Sequence, residues 1–343
     1  MGGEEMCKKY LGHLPEHDPL YNYLKYEIQP QISGYSGHLT YRVFELNASN
    51  DVYLYEEKHC GTKVIGKFFL SARIRDHEVA ARRMEREYHN LCMMRDCGFT
   101  RCPHYIARPL GRNLSLNRLL VVEFCEGELM SNVILHAIHT GDDALLYSKL
   151  TALAYFLSRF HNCTAGDGRV DFNDACSYMD SLTGRLSALH GISREETGEL
   201  CRLRDRWREQ PKMWEDRQVW VHGDATPDNF LFGDGLCVRT FDLERTRRAD
   251  RLFDTGRIAG ELMHFFLQNT GNKYAAEPFI GHFLWEYSCH FPDREQTFRS
   301  ITRRVPFYMG ITLLRIARND WLCAGYKRQL VQEAKQCLRR WTI

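Results

Sequence analysis

No run of apolar residues in the 343-residue chain approaches the roughly 20 needed to cross a bilayer, so membrane insertion is not expected. The 13 cysteines contain no C-x-x-C pair, and their odd number and scatter argue against a disulfide framework. Reduced thiols in a cytoplasmic protein are the expectation. Charge of one sign is also missing. Lys and Arg number 46 against 44 Asp and Glu, a net of +2, so the electrostatic footprint of a nucleic-acid binder is absent. The chain has no internal repeat, no low-complexity linker and no G-x-x-x-x-G-K-[ST] phosphate loop. Its first residues, Met1-Gly2-Gly3-Glu4-Glu5, are polar and acidic, which is not the start of a secretory signal. What is present is ordinary for a soluble globular protein, with 44% apolar and 26% charged residues. The length exceeds what one core usually organises, so two lobes are expected.

Residues 1–30, with Pro15, Pro19 and Pro30, read as an N-terminal extension carrying at most one short helix over Leu20–Glu27. Strands follow by alternation at Thr40–Leu46 and Val52–Glu56, and as a short apolar run at Lys63–Phe69. A long helix is predicted over Asp76–Arg95, then extended chain at Tyr105–Leu110 and Leu119–Phe124. Beyond Gly127 the pattern turns helical, at Asp142–Phe160, Tyr178–Leu189 and Arg194–Arg208. Three short strands, Val219–Val221, Phe230–Phe232 and Leu236–Phe241, interrupt it, with Gly233-Asp234-Gly235 as a hairpin turn. From Phe253 onward the chain reads as helix. The expected order is an extension (1–30), a β-rich lobe (31–125) and a larger, mainly helical lobe (126–343), an α+β protein.

The run His222-Gly223-Asp224-Ala225-Thr226-Pro227-Asp228-Asn229 lies between two short strands, and the next strand ends at Phe241-Asp242. Asp, Thr, Pro and Asn are turn residues, and a plain turn is the alternative reading. Phosphoryl transfer from ATP, however, needs few protein groups, mostly for positioning and charge neutralisation. One carboxylate orients or deprotonates the acceptor hydroxyl, an amide oxygen holds a metal, and a second carboxylate bridges metal to phosphates. Asp224, Asn229 and Asp242 supply that set at the spacing of a kinase catalytic loop.

The same chemistry requires a cation on the phosphates and a carboxylate to hold it. Lys67 stands in the apolar strand Val64-Ile-Gly-Lys-Phe-Phe69. Glu87 shares the apolar helix face of Ala80, Met84 and Leu91, whereas Glu85 falls off it. A buried carboxylate needs a cation, and Lys67 is the candidate for Glu87. The alternative is a snorkelling lysine and an unrelated surface glutamate. A turn at Ser33–His38, including Ser36 and Gly37, is placed to cover phosphates with backbone N–H groups. Cys92, Cys97 and Cys102, with His104 nearby, fit no zinc or cluster spacing and read as buried small hydrophobes.

With these residues assembled, the chain resembles the aminoglycoside phosphotransferase-like (choline kinase-type) branch of the protein-kinase-like superfamily over roughly Ile32–Phe266. His222–Asn229 matches the HGDxxxxN catalytic loop, and Asp242-Leu243-Glu244 matches the D-x-E of its metal-binding stretch. Asp250 and Asp254 look like the following Asp pair, with Arg251 where a proline is usual. The resemblance implies a bilobal fold using ATP and Mg²⁺, with Asp224 as catalytic base, Asn229 and Asp242 as metal ligands and Lys67 on the phosphates. It also implies a hinge at Val122-Glu123-Phe124-Cys125 that meets adenine through backbone groups. Gly223 stands where protein kinases carry Arg, and no D-F-G or A-P-E occurs, so a small-molecule acceptor is expected. An unusual protein kinase, a nucleotide-binding pseudokinase scaffold and a metal-dependent hydrolase remain the competing readings.

Regional charge bears on the acceptor. Residues 126–217 hold 11 basic and 15 acidic residues, whereas residues 255–343 hold 13 and 7. Such a C-terminal region is poor in the carboxylates that would grip a polycationic aminoglycoside. Arg303, Arg304, Arg315 and Arg318, with Tyr308 and Trp321, suit a phosphorylated or otherwise anionic acceptor, a solvated basic helix face being the alternative. The Arg245-Thr-Arg-Arg248 cluster is expected to pair with Glu244, Asp250 and Asp254, and His222 to brace the catalytic loop.

Overall fold

The computed structural model describes residues 8–35, 37–46, 51–189 and 191–340. It divides into two compact units, Met1–Gly127 with Arg239–Glu244, and Glu128–Val238 with Arg245–Ile343. No helix among the described residues is long and apolar enough to cross a membrane.

Along the first unit run β1 (Lys8–His13), α1 (Pro19–Tyr23), β2 (Tyr41–Leu46), β3 (Asp51–Glu57), β4 (Lys63–Phe68), α2 (His77–Asp96), β5 (Thr100–Arg101), β6 (His104–Ile106), β7 (Pro109–Asn113) and β8 (Leu119–Glu123). Six of these strands form an antiparallel sheet in the order β1-β2-β3-β4-β8-β7. The register sets Lys67 of β4 opposite Val52 of β3 and Leu120 of β8, in the middle of the sheet. Asp76 caps α2, its carboxylate accepting the N–H groups of Glu78 and Val79 at 2.9 and 3.1 Å. Such a cap contributes about 1 kcal/mol. The buried face of α2 is Ala80, Met84, Glu87, Asn90, Leu91 and Met94, the helical stripe that the spacing predicts.

Residues from 19 onward are not an extension. Leu20, Tyr21, Tyr23, Leu24 and Ile28 are buried in one core with Tyr41, Tyr55, Val64, Leu119 and Val121 of the sheet. Their helical spacing makes an apolar stripe, and each such side chain contributes about 1.5–3 kcal/mol when buried. The lobe boundary is also not a single cut, because residues 239–244 group with the first unit. Arg239 donates to the Glu126 carbonyl at 2.7 Å, the Ala107 N–H donates to the Thr240 carbonyl at 3.0 Å, and the Asn90 amide donates to the Leu243 carbonyl at 2.8 Å. The cysteine expectation also fails in part. Cys92 and Cys97 are half-buried free thiols, at the edge of the α2 stripe and at its C-cap. Cys102, in the exposed turn between β5 and β6, is disulfide-bonded.

The second unit contains β9 (Glu128–Leu129), α3 (Met130–Thr140), α4 (Asp143–Asn162), α5 (Phe172–Ala188), α6 (Arg194–Arg208), β10 (Val219–Val221) and β11 (Phe230–Phe232). A further strand, β12 (Val238–Thr240), leads into the 239–244 segment. Then come β13 (Arg247–Ala249), α7 (Leu252–Thr270), α8 (Glu277–Ser288), α9 (Arg294–Ala317) and α10 (Ala324–Leu338). β10 pairs with β13 and β11 with β9, both antiparallel. α6 opens on a capping box between Ser193 and Glu196, and spans the residues that its pattern predicts. α7 is buried along its whole circumference from Leu252 to His264. It meets α9 so closely that a Cβ at Gly256 would lie 2.3 Å from the Tyr308 Cβ. That close packing sets where Arg257 on α7 and Arg315 on α9 emerge.

Candidate active site

In the first unit the Lys67 ammonium is buried and donates to Glu87 at 2.6 Å and to Asp242 at 2.7 Å, with Glu244 at 3.6 Å. The structure thus brings together the lysine and the helix carboxylate that the sequence pairs, and adds two more acids. The rival, Glu85, pairs instead with Arg112 at 2.8 Å. Burial alone would deprotonate Lys67, but Glu87, Asp242 and Glu244 hold it charged well above the ordinary lysine range. Three carboxylates share one ammonium. Burial, against the pull of Lys67 and with the help of Asp242 and Glu244, therefore raises the Glu87 carboxyl from 4.5 to about 7. A carboxyl raised on folding contributes stability that is fully present below its unfolded value and is lost as pH rises through the folded one. The thermal midpoint of the nucleotide-free protein is accordingly expected to fall between pH 4.5 and about 7 relative to that of Glu87→Gln. Parallel melting curves of the two proteins check this, and identical pH slopes would contradict it.

Asp242 sits at φ +60°, a left-handed backbone that an L-residue adopts at a cost of about 1–2 kcal/mol. Asn90, by fixing the Leu243 carbonyl, offsets that strain and keeps the Asp242 carboxylate beside Lys67. Carboxylate oxygens of Glu87, Asp242 and Glu244 lie within 4.8 Å of one another. This is an all-oxygen donor set of the hard type that Mg²⁺ takes, and the residues present fit that ion.

The other expected nucleotide residues are placed less tellingly. Ser36 lies outside the described residues. Gly37 lies under Tyr35, where a Cβ would come within 2.4 Å of the tyrosine hydroxyl oxygen. The Glu123 carboxylate accepts the Arg108 N–H at 2.6 Å, and the Glu123 N–H donates to the Arg108 carbonyl at 3.0 Å. Burial and Glu123 push the Cys125 thiol up to about 12, so it stays protonated.

In the second unit the loop after β10 is held from beneath by Asp254. One carboxylate oxygen accepts the His222 N–H at 2.6 Å and the other accepts the Gly223 N–H at 3.0 Å. His161 adds a contact to Asp254 at 3.1 Å and is itself 2.7 Å from the Tyr287 hydroxyl. Gly223 has φ +80°, and a Cβ there would lie 2.1 Å from the Arg245 carbonyl oxygen. The Asn229 amide donates to the Asp224 carbonyl at 2.8 Å and so closes the loop. The position that carries Arg in protein kinases can only be glycine in this geometry.

Asp224 is gripped by arginines. Arg257 and Arg315 reach one carboxylate oxygen at 2.6 and 2.9 Å, and Arg245 lies 3.5 Å from the other. Burial would raise its carboxyl, yet Arg315, Arg257 and Arg245 bring it down to about 2. Arg315 also pairs with Glu261 at 3.1 Å. Arg257 and His161 were not singled out by the sequence, because contacts made across 33 and 93 residues leave no local pattern.

One expectation about basic residues is corrected. Arg245 faces Asp224 at 3.5 Å and Arg247 faces Asp174 at 4.0 Å. Asp250 is met by Arg304 at 3.1 Å and by the Tyr308 hydroxyl at 3.0 Å. Arg304 and Tyr308 therefore serve this buried network, in which Asp216 also accepts from Arg304 at 2.7 Å. Arg303 and Trp321 are exposed.

A sequence model of the phosphotransferase enzyme family matches residues 40–286, more than half of the chain. No curated protein matches the sequence significantly. Among solved structures, an ADP-bound aminoglycoside phosphotransferase superposes with a TM-score of 0.57 at 13% identity, covering 95% of this chain and 100% of that one. An ethanolamine kinase from Plasmodium vivax gives 0.61 at 12% identity, covering 92% and 89%. A choline kinase from Cryptosporidium parvum gives 0.59 at 11% identity, covering 94% and 93%. At such identities these likenesses establish the α+β kinase-like fold of two units. From the family match and the loop that carries its signature, the chain belongs to the phosphotransferase enzyme family.

Proposed function

We propose that the protein transfers the γ-phosphate of ATP to a hydroxyl of a small molecule with Mg²⁺ as the metal. The observation that carries this reading is the Lys67 ammonium held between Glu87 and Asp242, since a buried lysine so charged is what polyanionic phosphates require. Asp224 orients the acceptor hydroxyl. Its low pKa makes it a poor proton reservoir but a permanent acceptor of the hydroxyl hydrogen bond. Asn229 and Asp242 hold the metal, which when bound neutralises charge on the phosphates. Ser36 and Gly37 cover the nucleotide, and Glu123 and Cys125 meet its base through backbone atoms. Nucleotide use draws support from the ADP named for one structural relative.

The aminoglycosides, ethanolamine and choline named for the relatives are cations, and three arginines on the catalytic carboxylate do not suit a polycationic acceptor. That arginine grip also favours one second reading, a nucleotide-binding scaffold in which Asp224 is occupied permanently. ADP formation from Mg·ATP, with and without a dialysable fraction of cell extract, separates the two. Stimulation by the fraction, reduced about a hundredfold or more in Lys67→Met, is the expected result. Nucleotide binding without stimulation would establish the scaffold, and full activity of the Lys67 variant would point to a hydrolase.

A further inference from the structure

We infer that Arg257 and Arg315 are positioning residues, which anchor the Asp224 carboxylate by its Oδ1 so that Oδ2 accepts the hydrogen of the acceptor hydroxyl. The hydroxyl comes from the kinase reading, on which this inference rests; the anchoring itself does not depend on it. The two arginines stand on different helices, Arg257 on α7 and Arg315 on α9. Both donate to the same oxygen, Oδ1, at 2.6 and 2.9 Å.

A carboxylate oxygen offers about two lone-pair sites, so two charge-assisted donors fill Oδ1. Oδ2 is approached by the Arg245 Nε at 3.5 Å, which is longer than a hydrogen bond, and that side chain is exposed. The accepting capacity of Asp224 therefore lies on Oδ2. An arginine that serves a carboxylate for stability alone commonly takes both oxygens with its fork. Neither arginine does so here, and their converging on one oxygen keeps the other for a third partner.

Each anchor is itself held. Arg257 is buried, its guanidinium lying 5.0 Å from the centre of the Phe253 ring and 3.5 Å from the Tyr178 hydroxyl. The nitrogen that holds Asp224 Oδ1 also donates to the Gly223 carbonyl at 3.2 Å. One guanidinium thus spans loop backbone and side chain, which fixes the carboxylate relative to the chain that carries it. Arg315 reaches Asp224 with one terminal nitrogen and Glu261 with the other, at 2.9 and 3.1 Å. Glu261 is buried one turn beyond Arg257 on α7, so its charge holds Arg315 in place from the same helix.

The test has two arms on the full-length protein. In the first, ADP release stimulated by the dialysable fraction is measured for Arg257→Met and Arg315→Met, each alone and combined with Asp224→Asn. A misplaced reacting group costs about a hundredfold, so each single variant is expected to lose about that much kcat with the KM for ATP unchanged. Arg257→Lys, which keeps the charge, is expected to recover about tenfold of the loss. In the Asp224→Asn background the same replacements should cost less than about threefold, because residues that act through one group are not additive. Additive losses, or an unchanged kcat of the folded protein, overturn the inference. The second arm needs no turnover: crystal structures of the two single variants are compared with that of the wild type. The Asp224 carboxylate is expected to be rotated, or split between two orientations, in each. An unmoved carboxylate in both overturns the inference whatever the enzyme's activity. Should one variant fail to fold, the other carries both arms. A wild type without turnover, beside a rotated carboxylate in the variants, supports the anchoring and counts against the kinase reading alone.

Discussion

Replacing Asp224 by asparagine is expected to lower acceptor-dependent ADP formation by about a thousandfold while leaving nucleotide binding in place. The argument is one of charge rather than shape. Asparagine keeps the outline of the side chain and one acceptor oxygen. It removes the negative charge against which Arg257, Arg315 and Arg245 are set. The acceptor hydroxyl would then meet a neutral amide beside three cations, which polarise its oxygen in the wrong sense for attack. Because the Asp224 carboxyl is held at about 2, its stabilising charge is complete at neutral pH and disappears only as pH falls through that value. An acid limb in the rate profile near pH 5 to 7 would therefore belong to another group. Uncompensated buried arginine costs on the order of 3–5 kcal/mol, so the variant is also expected to melt earlier. Rates should be compared at a temperature where both proteins are folded, and a loss below about tenfold would remove Asp224 from the chemistry.

The second large effect is on stability. Asp254→Ala is expected to cost about 3–5 kcal/mol in urea unfolding, more than an average core truncation. Its carboxylate is fully buried and accepts from two successive backbone N–H groups, those of His222 and Gly223, and from His161. Removing it leaves buried donors without acceptors, and each unsatisfied group costs about 1–3 kcal/mol. Asp254→Asn should be milder because one acceptor oxygen survives. A double-mutant cycle with His161→Gln should return a coupling of about 0.5–3 kcal/mol, since the two side chains share a hydrogen bond out of contact with solvent. Additivity within a few tenths would mean that His161 is only a packing residue.

Both residues bear on what could be read in advance. The pairing of Lys67 with Glu87 was legible because a buried carboxylate demands a cation, whereas Asp224, Asn229 and Asp242 were singled out by their spacing alone. Glu87 in addition occupies a helix face that should be apolar. α2 and α6 were legible from period and caps, Asp76 and Ser193 marking their starts. The arginines that hold Asp224 were not. Arg315 stands 91 residues away from it, on a helix whose basic residues look alike in sequence. Only the close α7–α9 packing distinguishes Arg315 from Arg304, which serves Asp250 and Asp216 instead. The core role of residues 19–28 escaped because Pro19 and Pro30 and a short apolar stripe look like linker until a sheet is there to receive them. Register, not composition, decides that Lys67 faces three acids.

The 239–244 segment has a consequence for how this molecule can be taken apart. The polypeptide enters the first unit, leaves it at Gly127, and comes back for six residues before departing for good. A recombinant fragment stopping at Gly127 would contain Lys67, Glu87 and Asn90 without Asp242, Glu244 or the Leu243 carbonyl. In it the Lys67 ammonium on β4 would meet a single carboxylate, Glu87, and α2 would carry the Asn90 amide without its Leu243 acceptor. Neither gene truncation nor swapping of contiguous halves between relatives would transplant the first unit intact. Domain shuffling of this chain would need three junctions, two of them flanking the six residues Arg239–Glu244.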